Sequence, residues 1–232
     1  MVCVLAVADE VDERLCADLS PVRAAKLIVA CGDLPFDYLG YLMNGLDVPL
    51  VFVPGNHDPD LSGYRSSRAG LTLRAGMPVR PPWPDGAINA DRAIVQAAGL
   101  RLAGLGGCLR YGHGPNQYSD RQFARQARSL RRQAWRQRRR GQRVDVLLTH
   151  APPRGTGDGS DPAHRGITAL PGLVAALQPG VLLHGHVLRC DAATPDRRLG
   201  RTEVRNVIGR HLLDIQPGGG VSQLVPDHGR AR

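Results

Sequence analysis

Short apolar runs recur along the chain, and nearly all of them stop abruptly at a polar or glycine-containing cluster. Val2 to Ala8 reads as a central strand that ends at the acidic stretch Asp9 to Glu13. Ser20-Pro21 has the form of a helix start, Ser at the cap and Pro at the first position, and predicts a short helix through Lys26. Leu27 to Cys31 is a second buried strand running into Gly32-Asp33, and Phe36 to Leu46 carries apolar residues at helical spacing. Leu50 to Val53 is a third strand, closed by Pro54-Gly55 and followed at once by Asn56-His57-Asp58. Strand, helix, strand, helix, strand in this order predicts an α/β fold opening with a parallel βαβαβ unit.

Further along, Pro59 to Pro84 is rich in Pro, Gly, Ser and Arg and predicts a long surface excursion. Ala93 to Ala97 and Leu100 to Leu105 predict two strands turned at Gly99. Ser119 to Gln122 fits a capping box that opens a helix with a narrow stripe of Phe123, Ala127, Leu130 and Ala134. Val144 to Leu148 reads as a strand ending at Thr149-His150, and helix 169–177 leads to Val181-Leu182-Leu183 and His184-Gly185-His186. Val204 to Ile208 and His211 to Ile215 are expected to close the domain as a pair turned at Gly209. No repeat or linker divides residues 1–216, so one domain is expected, with an unstructured tail over 217–232.

Composition narrows the class. No run approaches the about 18 apolar residues of a membrane span, and Val2 to Ala8 is too short for a secretory signal. Cys3, Cys16, Cys31, Cys108 and Cys190 are odd in number and lack any CxxC pair, which predicts free thiols in a reducing cytoplasm. The net charge of +9 is local: residues 121–143 hold ten Arg and no acid, so the rest of the chain sums to −1. That helix is expected to be a solvated face; a polyanion footprint is the alternative, weakened by the lack of interleaved Phe or Tyr.

Five strand ends carry Asp9, Asp33, Asn56-His57, His150 and His184-Gly185-His186. In open α/β sheets ligands bind beyond the carboxyl ends of the strands, so these groups are expected to share one rim. Carboxylates, an amide oxygen and imidazoles form a mixed N/O donor set suited to manganese, iron or zinc rather than to a thiolate site.

In order and context, Gly32-Asp33, Gly55-Asn56-His57-Asp58, His150 and Gly185-His186 resemble the motifs of the calcineurin-like metallophosphoesterases, over residues 2 to about 216. The resemblance implies a four-layer α/β/β/α sandwich and a two-metal phosphoesterase. Asp33 would bridge the two ions, Asn56, His150 and His186 would complete the second site, and Asp9 would belong to the first. His57 would stand unligated beside the phosphate, stabilising the transition state or protonating the leaving oxygen, with Asp58 as its orienting partner. Metal-activated water would attack phosphorus in line, on a diester or monoester of a small molecule or nucleotide.

Two positions depart from the family pattern. Val11 and Leu188 stand where it has histidines, both belonging to the first metal site. That leaves Asp9 and the shared Asp33 there, with Asp12 and His184 as candidate substitutes, and implies one firmly held ion. Two alternatives follow: a degenerate homologue that binds metal or phosphate without turnover, and a nuclease or nucleic-acid-binding protein using the Arg121–Arg143 helix.

Overall fold

The computed structural model describes residues 1–67, 71–188, 197–218 and 221–223; Cys190 and the end of the tail lie outside them. The chain opens with β1 (Val2–Ala8), α1 (Glu13–Ala17), β2 (Leu27–Ala30), α2 (Phe36–Leu46) and β3 (Leu50–Phe52). A small antiparallel meander follows as β4 (Tyr64–Ser66), β5 (Thr72–Arg74) and β6 (Met77–Pro78). Next come β7 (Ile88–Asn89), β8 (Ile94–Ala97), β9 (Leu100–Leu105), and the two-residue strands β10 (Cys108–Leu109) and β11 (Gln117–Tyr118). The second half contains α3 (Asp120–Arg138), β12 (Val146–Thr149), α4 (Leu170–Leu177) and β13 (Val181–His184). It ends with β14 (Arg197–Leu199), β15 (Thr202–Asn206), β16 (Gly209–Ile215) and β17 (Val221–Gln223).

Two six-stranded sheets form, in the orders β17-β16-β1-β2-β3-β7 and β14-β15-β13-β12-β9-β8. Each has four neighbouring parallel strands, β1-β2-β3-β7 in the first and β15-β13-β12-β9 in the second. Side-chain alternation decides the layering. Val4, Ala6 and Ala8 of β1 pack between the sheets with Leu102, Val146, Leu148, Val181 and Leu183. Leu5 and Val7 face the other way, onto Leu15 of α1 and Leu39 and Leu42 of α2. In the second sheet Ala103, Leu105, Leu147 and Leu182 pack outward on Phe123 and Leu130 of α3 and Leu173 of α4. Helices outside two facing sheets give the α/β/β/α sandwich.

Several sequence expectations need correction. The segment after Ser20 is only a 3-10 turn, Ser20–Val22, because the Lys26 amide already donates to the Cys3 carbonyl at 2.8 Å and starts the β2 pairing. The helix missed before it, α1, is capped by Asp12, whose side chain accepts from the Arg14 amide at 3.0 Å. Residues 204–208 and 211–215 do not form a hairpin: β15 lies parallel beside β13, while β16 lies antiparallel beside β1 in the other sheet. Gly209, at φ +77°, hands the chain from one sheet to the other. In the expected tail, β17 pairs with β16; residues 224–232 lie outside the described residues.

The capping box at Ser119 and Gln122 forms as expected, and Phe123 is fully buried with Tyr118 edge-on at 5.4 Å between ring centroids. Phe123→Ala is expected to cost about 3–5 kcal/mol, whereas Arg136→Ala on the exposed face should stay within about 0.5 kcal/mol. Urea unfolding of both variants checks this.

Candidate metal centre

The carboxyl ends of the parallel strands from both sheets meet at one rim. Asp9 follows β1, Asp33 follows β2, Asn56 and His57 follow β3, His150 follows β12 and His186 follows β13. Glycines make the approach possible. A Cβ on Gly55 would stand 2.0 Å from Asp33 Oδ1, and one on Gly185 would stand 2.0 Å from Asp9 Oδ2. These glycines therefore admit the two carboxylates; their side of the turn has room for no side chain.

His150 is fully buried and is the pivot of the site. Its Nδ1 lies 2.7 Å from the Cys31 carbonyl, which can only accept, so Nδ1 carries a proton. Its Nε2 lies 2.9 Å from Asn56 Oδ1 and 3.2 Å from Asp33 Oδ2. A neutral ring would aim a lone pair at two oxygens. A second proton on the ring, or a cation between them, resolves that conflict. Burial pulls the His150 pKa down, but the bond and charge of Asp33 outweigh it and the net direction is up. A proton and a cation thus compete for the same place.

His186 completes the donor set. Its Nε2 donates to the Ala163 carbonyl at 2.8 Å, leaving Nδ1 as the free lone pair. Burial and the neighbouring His150 push its pKa down to about 4, so the ring is neutral and ready to ligate at ordinary pH. Ligand atoms of Asp33, His150 and His186 all lie within 4.8 Å of one another, and Asn56 Oδ1 joins them through its contact with His150.

Acid outweighs base at the rim. Burial pushes Asp9 up to about 6 and also raises Asp58. Burial acts upward on Asp33 too, but bonds from the His150 ring and the His57 amide hold it below its usual range. No Arg or Lys among the described residues pairs with any of the three. Buried carboxylates without a cationic partner are unfavourable. The donors present therefore fit a divalent cation in both charge and type.

Other expected site residues fall differently. The Asp58 carboxylate accepts from the Gly55 amide at 2.7 Å and the Asp33 amide at 3.0 Å. These bonds, both to Oδ2, hold the turn, and no hydrogen bond between Asp58 and the His57 ring is present among the described residues. The His57 amide donates to Asp33 Oδ1 at 2.8 Å, and its side chain is exposed at the rim. Asp9 takes the His186 amide at 3.0 and 3.1 Å but joins no three-residue donor cluster among the described residues. Val11 and Leu188 are 39% and 63% exposed. Asp12 caps α1 and pairs with Arg210 at 2.9 Å, and His184 Nδ1 lies 3.0 Å from the Gly185 carbonyl, so neither supplies the missing donors here.

Two residues that the sequence offers only as polar loop groups within reach of the rim, Tyr111 and His164, lie beside the site. The Tyr111 hydroxyl accepts from Asn56 Nδ2 at 3.1 Å and holds the amide beside His150. The His164 ring lies 5.5 Å from that of His186. Both sit in glycine-rich, irregular loops where no periodicity marks a direction; their only signal was residue type.

The sequence profile of the calcineurin-like phosphoesterase family matches residues 12–190. No curated protein sequence matches the chain. Among solved structures, that of TT1561 of Thermus thermophilus superposes with a TM-score of 0.61 at 13% identity, covering 97% of this chain and 99% of that one. A second crystal structure gives a TM-score of 0.59 at 16% identity, covering 96% and 99%. At these identities the likeness is one of fold.

Asp9 gives a test by pH. A carboxyl raised from 3.8 to about 6 is destabilising once ionised, and the penalty disappears as pH falls through 6 toward 4. Asp9→Asn should therefore stabilise the metal-free protein by about 1–3 kcal/mol at pH 8, with the gain fading below pH 6. Thermal melts across pH in chelator check the sign.

Proposed function

Because the chain belongs to the calcineurin-like phosphoesterase family, we propose that it hydrolyses phosphoric esters of a small molecule or nucleotide with a divalent cation held by Asp33, Asn56, His150 and His186. The observation that carries this reading is the convergence of His150 Nε2, Asn56 Oδ1 and Asp33 Oδ2, three acceptors with no Arg or Lys between them among the described residues. When bound, the cation supplies Lewis acidity toward the phosphoryl oxygens and acidifies the water that attacks phosphorus in line.

The chain's own residues supply the rest. The Cys31 carbonyl sets the proton on His150 Nδ1, and Tyr111 holds the Asn56 side chain in place, so both groups are positioned before any ligand arrives. The His57 amide and the Asp58 carboxylate hold the Asp33 turn from two sides. The exposed His57 side chain is assigned to the departing alkoxide, to which it hands a proton. His164 and Tyr111, half-exposed beside His186 and Asn56, are assigned to the ester's polar substituents.

A second reading, binding without turnover, is favoured by one observation. Val11 and Leu188 offer no donor where the family pattern has imidazoles, and Asp9 joins no donor cluster among the described residues.

Steady-state hydrolysis of bis(p-nitrophenyl) phosphate with Mn²⁺ separates the two. Turnover is expected, and His57→Ala should lower kcat about 10²–10³-fold with little change in KM. The loss should be larger for an alkyl leaving group, which needs the proton more. Absence of turnover in the wild type, with activity gained by Val11→His plus Leu188→His, would establish the binding-only reading.

A further inference from the structure

At the opposite end of the second sheet is a cavity of about 360 Å³, bounded by the last turns of α3 and the amino ends of β12, β13 and β15. Val144, Gly180 and Arg201 of its wall precede the same strands, or a parallel neighbour, whose far ends carry His150 and His186. From Val144 to His150 is about 20 Å of extended chain, so the cavity is separate from the metal centre.

Its lining is unlike an ordinary solvated helix face. Arg131, Arg132, Arg138, Arg143 and Arg201 all line it, and among the described residues no Asp or Glu does. None of the five has an acidic partner among the described residues. Of the two nearest carboxylates in sequence, Asp145 is consumed by the amides of Arg101 at 2.7 Å and Gly218 at 2.7 Å, and Glu203 is paired with Arg205. Between the guanidiniums the surface is apolar, from Ala134, Val144 and Leu177. Trp135 lines the same cavity at 57% exposure, with the Arg139 guanidinium 4.7 Å from its ring centroid.

Unpaired guanidiniums around an apolar floor with one open indole suit a compact ligand that is polyanionic at one end and aromatic at the other. We propose that this cavity binds a nucleoside polyphosphate, its base against Trp135 and its phosphates on the arginines. Guanidinium forks match phosphate oxygens bidentately, and indole stacks on any base. The volume lies at the small end of the range for small-molecule sites, which suits a mononucleotide. A nucleic-acid strand would need successive stacking platforms, and α3 presents only this one indole.

The test follows tryptophan fluorescence of the full chain in chelator, which keeps phosphates off the metal centre. The only other tryptophan, Trp83, is buried, so quenching reports Trp135. ATP is expected to quench saturably, and more tightly than adenosine or inorganic triphosphate. Arg138→Gln with Arg143→Gln should weaken ATP about tenfold or more, and so should Arg201→Gln, which lies on a different element. Arg121→Gln, outside the cavity, should leave affinity unchanged. The proposal is overturned if quenching does not saturate, if triphosphate binds as tightly as ATP, if Arg121→Gln weakens binding equally, or if a thymidine oligonucleotide binds more tightly per phosphate than ATP.

Discussion

A single buried imidazole ties the two sheets together at their functional end. His150 follows a strand of the second sheet, yet both of its ring nitrogens are directed at groups following strands of the first, the Cys31 carbonyl on one side and Asn56 and Asp33 on the other. A second tie runs the same way, from the His186 amide to Asp9. Because both cross between sheets, the geometry of the rim depends on how the sheets pack, and that in turn depends on small inward residues such as Ala6 and Ala8. A change in sheet spacing would separate the donors before it exposed the core.

The same convergence concentrates cost. Asp9, Asp33 and His186 all adopt positive φ, at 59°, 58° and 68°, a region that side-chain-bearing residues occupy sparingly. Burial raises Asp9 and Asp58 and lowers His186. Such a cluster is tolerable for a fold that gains from something bound there, since a ligand that prefers the folded state returns its binding energy as stability. The far end of the second sheet shows the reverse sign of charge, with guanidiniums that lack partners among the described residues. The two ends are therefore opposite in the ligand each would attract.

Much of this was legible in the sequence where a local rule acts alone. Phe36–Leu46 and the capping box at Ser119 are visible from spacing and cap chemistry. The strand ends could be read because an apolar run followed by Asp, Asn or His is unusual in a strand that only needs to be buried. What escaped depends on partners distant in sequence. Nothing local says that β15 and β16, separated by two residues, enter different sheets; each is claimed by strands far away in the chain. Asp58 looked like a partner for its neighbour His57, but two backbone amides claim it, one of them 25 residues away. Tyr111 was legible only as one polar loop residue among several, 55 residues from the Asn56 it orients.

The cation assigned to His150, Asp33, Asn56 and His186 is open to direct measurement. Titration of the chelator-treated protein with Mn²⁺, followed by the electron paramagnetic resonance of the free ion, tests it most directly. A single tight ion per chain is expected, abolished by His150→Ala and retained in Asp9→Asn. An absence of tight binding, or tight binding that survives His150→Ala, would contradict it.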